Sequence, residues 1–237
     1  MRDLVHIHQT AELAERVLLP GDPGRALRLA QGLLDAPLML NHNRGLWGYT
    51  GIAADGLALS IQSTGMGGPS AAIVVSELIE LGARRLVRVG TCGALSGGLS
   101  LGQLVVVTEA IADDGTSTAI GGHDRMARLS AVGSSLPAAL LAAGRTADPP
   151  ASAATTVSSD LFYGAEPRFE GWRTAGALAV EMEAAAIFAV AARAGVEAGC
   201  LLVVSNAIGA ADHIDTDALH AAELRLGELA VSALRRL

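Results

Sequence analysis

Lysine is absent from the 237-residue chain, so all seventeen basic residues are arginine. Schiff-base chemistry and lysine general-base catalysis are thereby excluded. Aromatic residues make up only 3%. The core must therefore be built from Ala, Leu, Val and Ile, and each aromatic merits separate inspection. The two cysteines, Cys92 and Cys200, lie far apart with no metal-ligand spacing, so neither a disulfide framework nor a metal site is expected. There is no long basic run and the net charge is −7, which argues against a broad phosphate footprint on nucleic acid. No apolar run reaches membrane-spanning length without glycine or charge. The opening segment Met1 to His8 lacks the apolar stretch of a signal peptide. The expectation is a soluble, cytoplasmic protein with neither a nucleic-acid nor a membrane partner.

What is present is a large apolar fraction, 51% against 17% charged, ample for a substantial core. No internal repeat or shift of composition divides the chain, so residues 1–237 are read as one α/β domain.

The informative stretch is Leu86 to Ala94, Leu-Val-Arg-Val-Gly-Thr-Cys-Gly-Ala. It starts as a β-branched run typical of a buried strand and ends in a turn opened by Gly90 and Gly93. Arg88 lies inside the apolar run, where a guanidinium needs an anionic partner. Arginine, the Thr91 hydroxyl and the glycine turn together describe an oxyanion pocket at the carboxyl end of a sheet strand. A core strand whose arginine snorkels to the sheet edge is the alternative.

Other segments supply matching walls. Arg16 to Leu19 reads as a strand running into Pro20-Gly21-Asp22-Pro23-Gly24-Arg25, a turn before a helix over residues 26–34. That turn brings backbone N–H groups and Arg25 to a helix start, which favours an anion. Ser63 to Ser70 is a second glycine-rich loop, opening a helix over residues 70–81, and it lacks the Gly-Lys-Ser/Thr of a Walker loop. Residues 113–128 read as a polar surface loop containing His123. Ser158 to Phe169 reads as a loop whose Phe162 can stack on a heterocycle or pack in the core. Glu181 and Glu183 stand in an apolar strand-to-helix segment and need donors, which sugar hydroxyls can supply. Asn206 ends the last core strand (residues 200–204), where it is either a carbonyl reader or an ordinary turn residue. His42, His123, His213 and His220 are read as structural or surface residues.

In order and spacing, several pieces resemble the hexameric-type nucleoside phosphorylases, which span purine nucleoside, methylthioadenosine and uridine phosphorylases. They are Val5-His6-Ile7, Pro20-Gly21-Asp22-Pro23 with Arg25, Asn43-Arg44-Gly45, Gly65-Met66-Gly67 with Pro69-Ser70, Arg88 to Gly93, Ser159-Asp160 with Phe162-Tyr163, and Val180-Glu181-Met182-Glu183. The resemblance implies a three-layer α/β/α domain around a mixed, partly barrelled sheet. It also implies reversible, phosphate-dependent cleavage of a nucleoside to free base and ribose 1-phosphate, with phosphate as co-substrate and no other cofactor.

By motif, Gly21, Arg25, Arg44, Arg88 and Thr91 bind phosphate, and His6, Met66, Met182 and Glu183 bind ribose. Phe162, Glu166, Arg168, Glu181 and Asn206 surround the base. Arg88 and Asn206 are the catalytic candidates. His6 and Arg44 are expected from a neighbouring subunit, which requires at least a dimer and suggests a trimer of dimers. The purine enzymes of the family carry an aspartate where this chain has Asn206, and asparagine cannot protonate a base. It can bridge O6 and N7 of a 6-oxopurine. Glu166 suits the ring N–H of guanine or hypoxanthine, whereas Arg168 suits a pyrimidine carbonyl. The expected activity is cleavage of inosine- and guanosine-type nucleosides, with uridine phosphorylase as the alternative. A nucleoside hydrolase, which would have no use for the arginines, and a silent nucleoside-binding protein are the remaining classes.

Overall fold

The computed structural model describes residues 4–95, 97–133, 135–210 and 213–237. Met1, Arg2 and Asp3 of the opening segment lie outside them. The elements run β1 (Arg16–Leu19), α1 (Pro23–Leu33), β2 (Leu34–Asn41), β3 (Gly48–Ala53), β4 (Ala58–Gln62), α2 (Gly68–Glu80), β5 (Arg85–Ala94), β6 (Leu104–Asp113), α3 (Gly115–Gly121), β7 (Arg128–Ser130), α4 (Ser135–Thr146), β8 (Ser152–Ser159), α5 (Phe169–Thr174), β9 (Ala179–Glu181), α6 (Ala184–Ala194), β10 (Glu197–Ala207) and α7 (Thr216–Leu234).

The apolar runs alternate with period two, because successive strand side chains point to opposite faces. Val17, Leu19, Leu86, Leu202 and Val204 pack towards α2 and α6. Leu18, Val87, Val89, Leu201 and Val203 pack towards α1, α4 and α7. Helices thus cover both faces of one ten-stranded sheet, ordered β10-β6-β8-β9-β5-β1-β4-β3-β2 with β7 on β6. β10 also pairs with β5, which closes β5, β9, β8, β6 and β10 into a five-stranded barrel. The three-layer, partly barrelled architecture expected from the resemblance is the one observed. β1, β4, β5 and β10 are mutually parallel, so their carboxyl ends open on one side. Among the described residues, no helix is long and apolar enough to cross a membrane.

Four segments differ from the sequence reading. α1 begins at Pro23 rather than residue 26, because Asp22 Oδ1 accepts the Arg25 N–H at 2.8 Å and so caps the helix. β2 was not foreseen: Pro37 and the exposed residues 35–39 hide a strand that is tolerated because it is the sheet edge. The supposed surface loop of residues 113–128 instead carries the end of β6, then α3 and the start of β7. In it Asp113, Asp114 and Ser117 are buried, and Asp114 caps α3 through the Ser117 N–H at 2.7 Å. The loop after Phe162 tightens into a 3₁₀ turn, Glu166–Arg168, leading directly into α5.

Candidate active site

The carboxyl ends of β1, β4, β5 and β10 frame a cavity of about 730 Å³, the usual ligand position in open α/β sheets. The turn after β1 contributes Gly21 and Arg25, and the loop after β4 contributes Met66. β5 contributes Arg88 and Thr91, the segment after β8 Phe162 and Glu166, and the β9–α6 junction Glu181, Met182 and Glu183. Asn206 comes from β10. Eleven residues expected at the site therefore meet in one cavity.

At its floor, Arg88 joins two carboxylates. Its Nε lies 2.8 Å from Glu181 Oε2 and its Nη2 2.5 Å from Glu183 Oε2. Gly90 makes room for this path: a Cβ there would sit 2.8 Å from the guanidinium carbon. Burial pulls the Arg88 pKa down, but Glu183 and Glu181 together outweigh it and push it up, so the guanidinium stays charged. The third nitrogen, Nη1, is buried and has no hydrogen-bond partner. A buried, charged and unpartnered donor on a cavity wall is a place for an anion.

The two glutamates have different capacities. Glu181 takes donors from Ser158 Oγ, Arg88 Nε and the N–H groups of Glu183 and Ala184, at the N-terminal end of α6. That fills the acceptor sites of a carboxylate. Glu181 thus anchors Arg88 and α6 while still lining the cavity. Glu183 accepts from Gly67 N at 2.5 Å and from Arg88, and it keeps lone pairs for ligand hydroxyls. Gly67 holds φ at 84° to aim that N–H, a conformation glycine adopts without strain.

At the end of β10, a β-bulge between Val204 and Asn206 re-aims the strand. Ser205 Oγ lies 3.0 Å from Asn206 Oδ1 and can donate to it, which leaves the two Nδ2 hydrogens as donors. Glu166 lines the same cavity, whereas Arg168 does not. Arg168 Nη1 instead sits 3.3 Å from Asp113 Oδ2, and the same carboxylate accepts from Trp172 Nε1 at 2.8 Å and from Arg125. Buried Asp113 thus draws Arg168 away from the position expected of a base-reading arginine.

Residues 15–237 match the family described as the phosphorylase superfamily. The chain belongs to that superfamily. It is 38% identical over 214 residues to a DeoD-type purine nucleoside phosphorylase of Geobacillus kaustophilus, covering 86% of each chain. It is also 38% identical over 224 residues to one of Clostridium beijerinckii, covering 93% of this chain and 91% of that one. A guanosine phosphorylase of Halorubrum lacusprofundi is 34% identical over 218 residues, covering 88% and 85%.

Within this superfamily member, His6 and Arg44 stand apart from the chain's own cavity but close to each other. Asn43 Nδ2 donates to the His6 carbonyl at 3.0 Å, and His6 Nδ1 lies 2.7 Å from Glu77 Oε1. Arg44 is exposed at φ 56°. Sequence reasoning missed several wall residues. His213, read as a structural or surface residue, is exposed and also lines the cavity beside Asn206, to which its backbone is bridged. Trp172 also lines it while almost wholly buried. The scarcity of aromatics was the signal for Trp172; nothing in the sequence around His213 singled it out.

Proposed function

We propose that this protein is a purine nucleoside phosphorylase acting on 6-oxopurine nucleosides, a pentosyltransferase that uses inorganic phosphate as co-substrate and needs no other cofactor. The observation carrying this reading is the buried, unpartnered Arg88 Nη1 on the wall shared with Glu183. Supporting it are the DeoD-type purine nucleoside phosphorylase relatives.

In this reading Arg88, Arg25, Gly21 and Thr91 hold phosphate beneath the sugar. Glu183 accepts ribose hydroxyl protons, Met66 and Met182 pack on the ribose, and Phe162 lies along the base. A phosphate oxygen attacks C1′ as the bond from C1′ to the base nitrogen breaks. The bond's electron pair leaves with the base, and the phosphate proton ends on the base. The dianion beside the developing oxocarbenium charge stabilises it electrostatically. Asn206 Nδ2 donates to O6 and N7, both acceptors in hypoxanthine and guanine, and Glu166 accepts from the ring N–H. A 6-amino group would set donor against donor. The retention of Arg168 by Asp113 weighs against uracil. With guanosine and phosphate the expected products are guanine and ribose 1-phosphate, the latter visible as a new ³¹P resonance; guanine release without phosphate would mean hydrolysis instead.

The same reading includes a homo-oligomer, at least a dimer and by resemblance a trimer of dimers, in which His6 and Arg44 of one copy complete the site of another. It is supported by Met66 and Phe162, which line the cavity while 85% and 73% exposed. We expect an Arg44→Ala chain and an Arg88→Gln chain, each inactive alone, to regain activity when co-expressed. Each mixed pair then contains one site with both arginines. No recovery in verified mixed oligomers would mean that Arg44 serves no neighbouring site. A cytoplasmic location and a role in nucleoside salvage belong to this reading, and two buried free thiols suit a reducing compartment.

A further inference from the structure

Arg25 stands in the first turn of α1, where the helix dipole disfavours a cation, and yet it is only 8% exposed. What holds it is Glu223, from the buried face of α7 that also carries Ala222, Leu226 and Ala230. Arg25 Nε lies 2.6 Å from Glu223 Oε1, and Arg28 Nη2 lies 2.8 Å from Oε2. Glu223 is 2% exposed and, unlike Arg25, does not line the cavity. One carboxylate thus serves two guanidiniums, with the Asp22 carboxylate beside them on the Arg25 N–H. Because Glu223 engages Arg25 at Nε, the two terminal nitrogens of that guanidinium remain as a fork for an oxyanion.

We propose that Glu223 is a positioning residue for phosphate: it holds Arg25 by its Nε so that Nη1 and Nη2 meet the anion, and it sets phosphate affinity without touching substrate. This rests on Arg25 being a phosphate ligand. The sign of the effect separates positioning from charge. As a mere negative charge, Glu223 repels phosphate, so neutralising it would tighten phosphate binding. As a positioner, its loss weakens phosphate binding, because an amide oxygen is a weaker acceptor that two arginines then compete for.

The test is Glu223→Gln in the full-length protein, reading the KM for phosphate and, separately, guanosine binding without phosphate. The expected result is a phosphate KM raised about tenfold or more, with guanosine binding unchanged, and a lowered melting temperature because two arginines lose their buried carboxylate. A phosphate KM that is unchanged or lower overturns the proposal. So does a parallel loss of guanosine binding, which marks a structural role. If Glu223→Gln does not fold, Glu223→Asp retains the charge one methylene short of Arg25, and the same rise is expected; an unchanged value again overturns the proposal. Arg25→Gln is the control on the underlying reading. If it leaves the phosphate KM untouched, Arg25 is not a phosphate ligand and both fail; if it raises the KM while the Glu223 variants do not, only the positioning role fails.

Discussion

Arg88→Gln is expected to lower phosphorolysis by about a thousandfold and to destabilise the fold by about 3–5 kcal/mol. Both effects come from one geometry. Arg88 supplies the buried donor proposed for phosphate, and it neutralises Glu181 and Glu183 at the cavity floor. Glutamine cannot compensate two carboxylates, so at neutral pH the variant leaves buried charge unpaired. The destabilisation has a definite pH dependence. Burial pushes the Glu181 carboxyl above its ordinary value of about 4.5, and Glu183 adds to the push, while Arg88 pulls it back. Removing Arg88 takes away the largest downward influence and leaves burial and the Glu183 charge opposed only by hydrogen bonds from Ser158 and the Glu183 N–H, so the carboxyl rises further. A carboxyl whose pKa is raised on folding binds more protons in the native state than in the unfolded state. Stability then falls as pH rises from about 4.5 towards the folded value. The deficit of Arg88→Gln relative to wild type is therefore expected to be largest near pH 7 and to shrink towards pH 5. Urea denaturation at several pH values measures it. A deficit independent of pH would contradict the assignment of Glu181 as a buried partner of Arg88.

Asn206→Ala is the second large effect. It removes the Nδ2 donors that meet O6 and N7, so kcat/KM for guanosine is expected to fall about ten- to a hundredfold, the loss of one or two buried hydrogen bonds. The phosphate KM should stay near wild type, because Asn206 makes no contact with Arg25 or Arg88, whose side chains are held by Glu223 and by Glu181 and Glu183. The discrimination between guanosine and adenosine should shrink with it, since the donor that clashes with a 6-amino group is gone. Steady-state kinetics with both nucleosides check this. Unchanged guanosine kinetics would remove Asn206 from base recognition and shift attention to His213, its neighbour on the cavity wall.

The parts of the site legible in the sequence were those in which local composition was anomalous. Arg88 inside a β-branched run, two glutamates in an apolar segment and glycine turns at strand ends each violate the local pattern, and each lies at the cavity. Much of the sheet was legible for the converse reason: β1, β5 and β10 each contain a β-branched or leucine-rich apolar run. Pairings between distant residues were not legible. Nothing near Arg168 reveals that Asp113 will hold it, because the two meet only when β6 and the turn before α5 are brought together. β2 was hidden because an edge strand tolerates proline and exposed residues that forbid a central one. Glu223 carried a signal that composition alone obscured. It falls three residues before Leu226 and seven before Ala230, on the face that α7 buries, and a glutamate on a buried face requires a cationic partner.

The most direct test of the account is release of free base from guanosine, inosine, uridine and adenosine, each assayed with and without inorganic phosphate. The account predicts strictly phosphate-dependent cleavage of guanosine and inosine, with adenosine and uridine far slower. Cleavage of uridine alone would contradict it and make the protein a uridine phosphorylase.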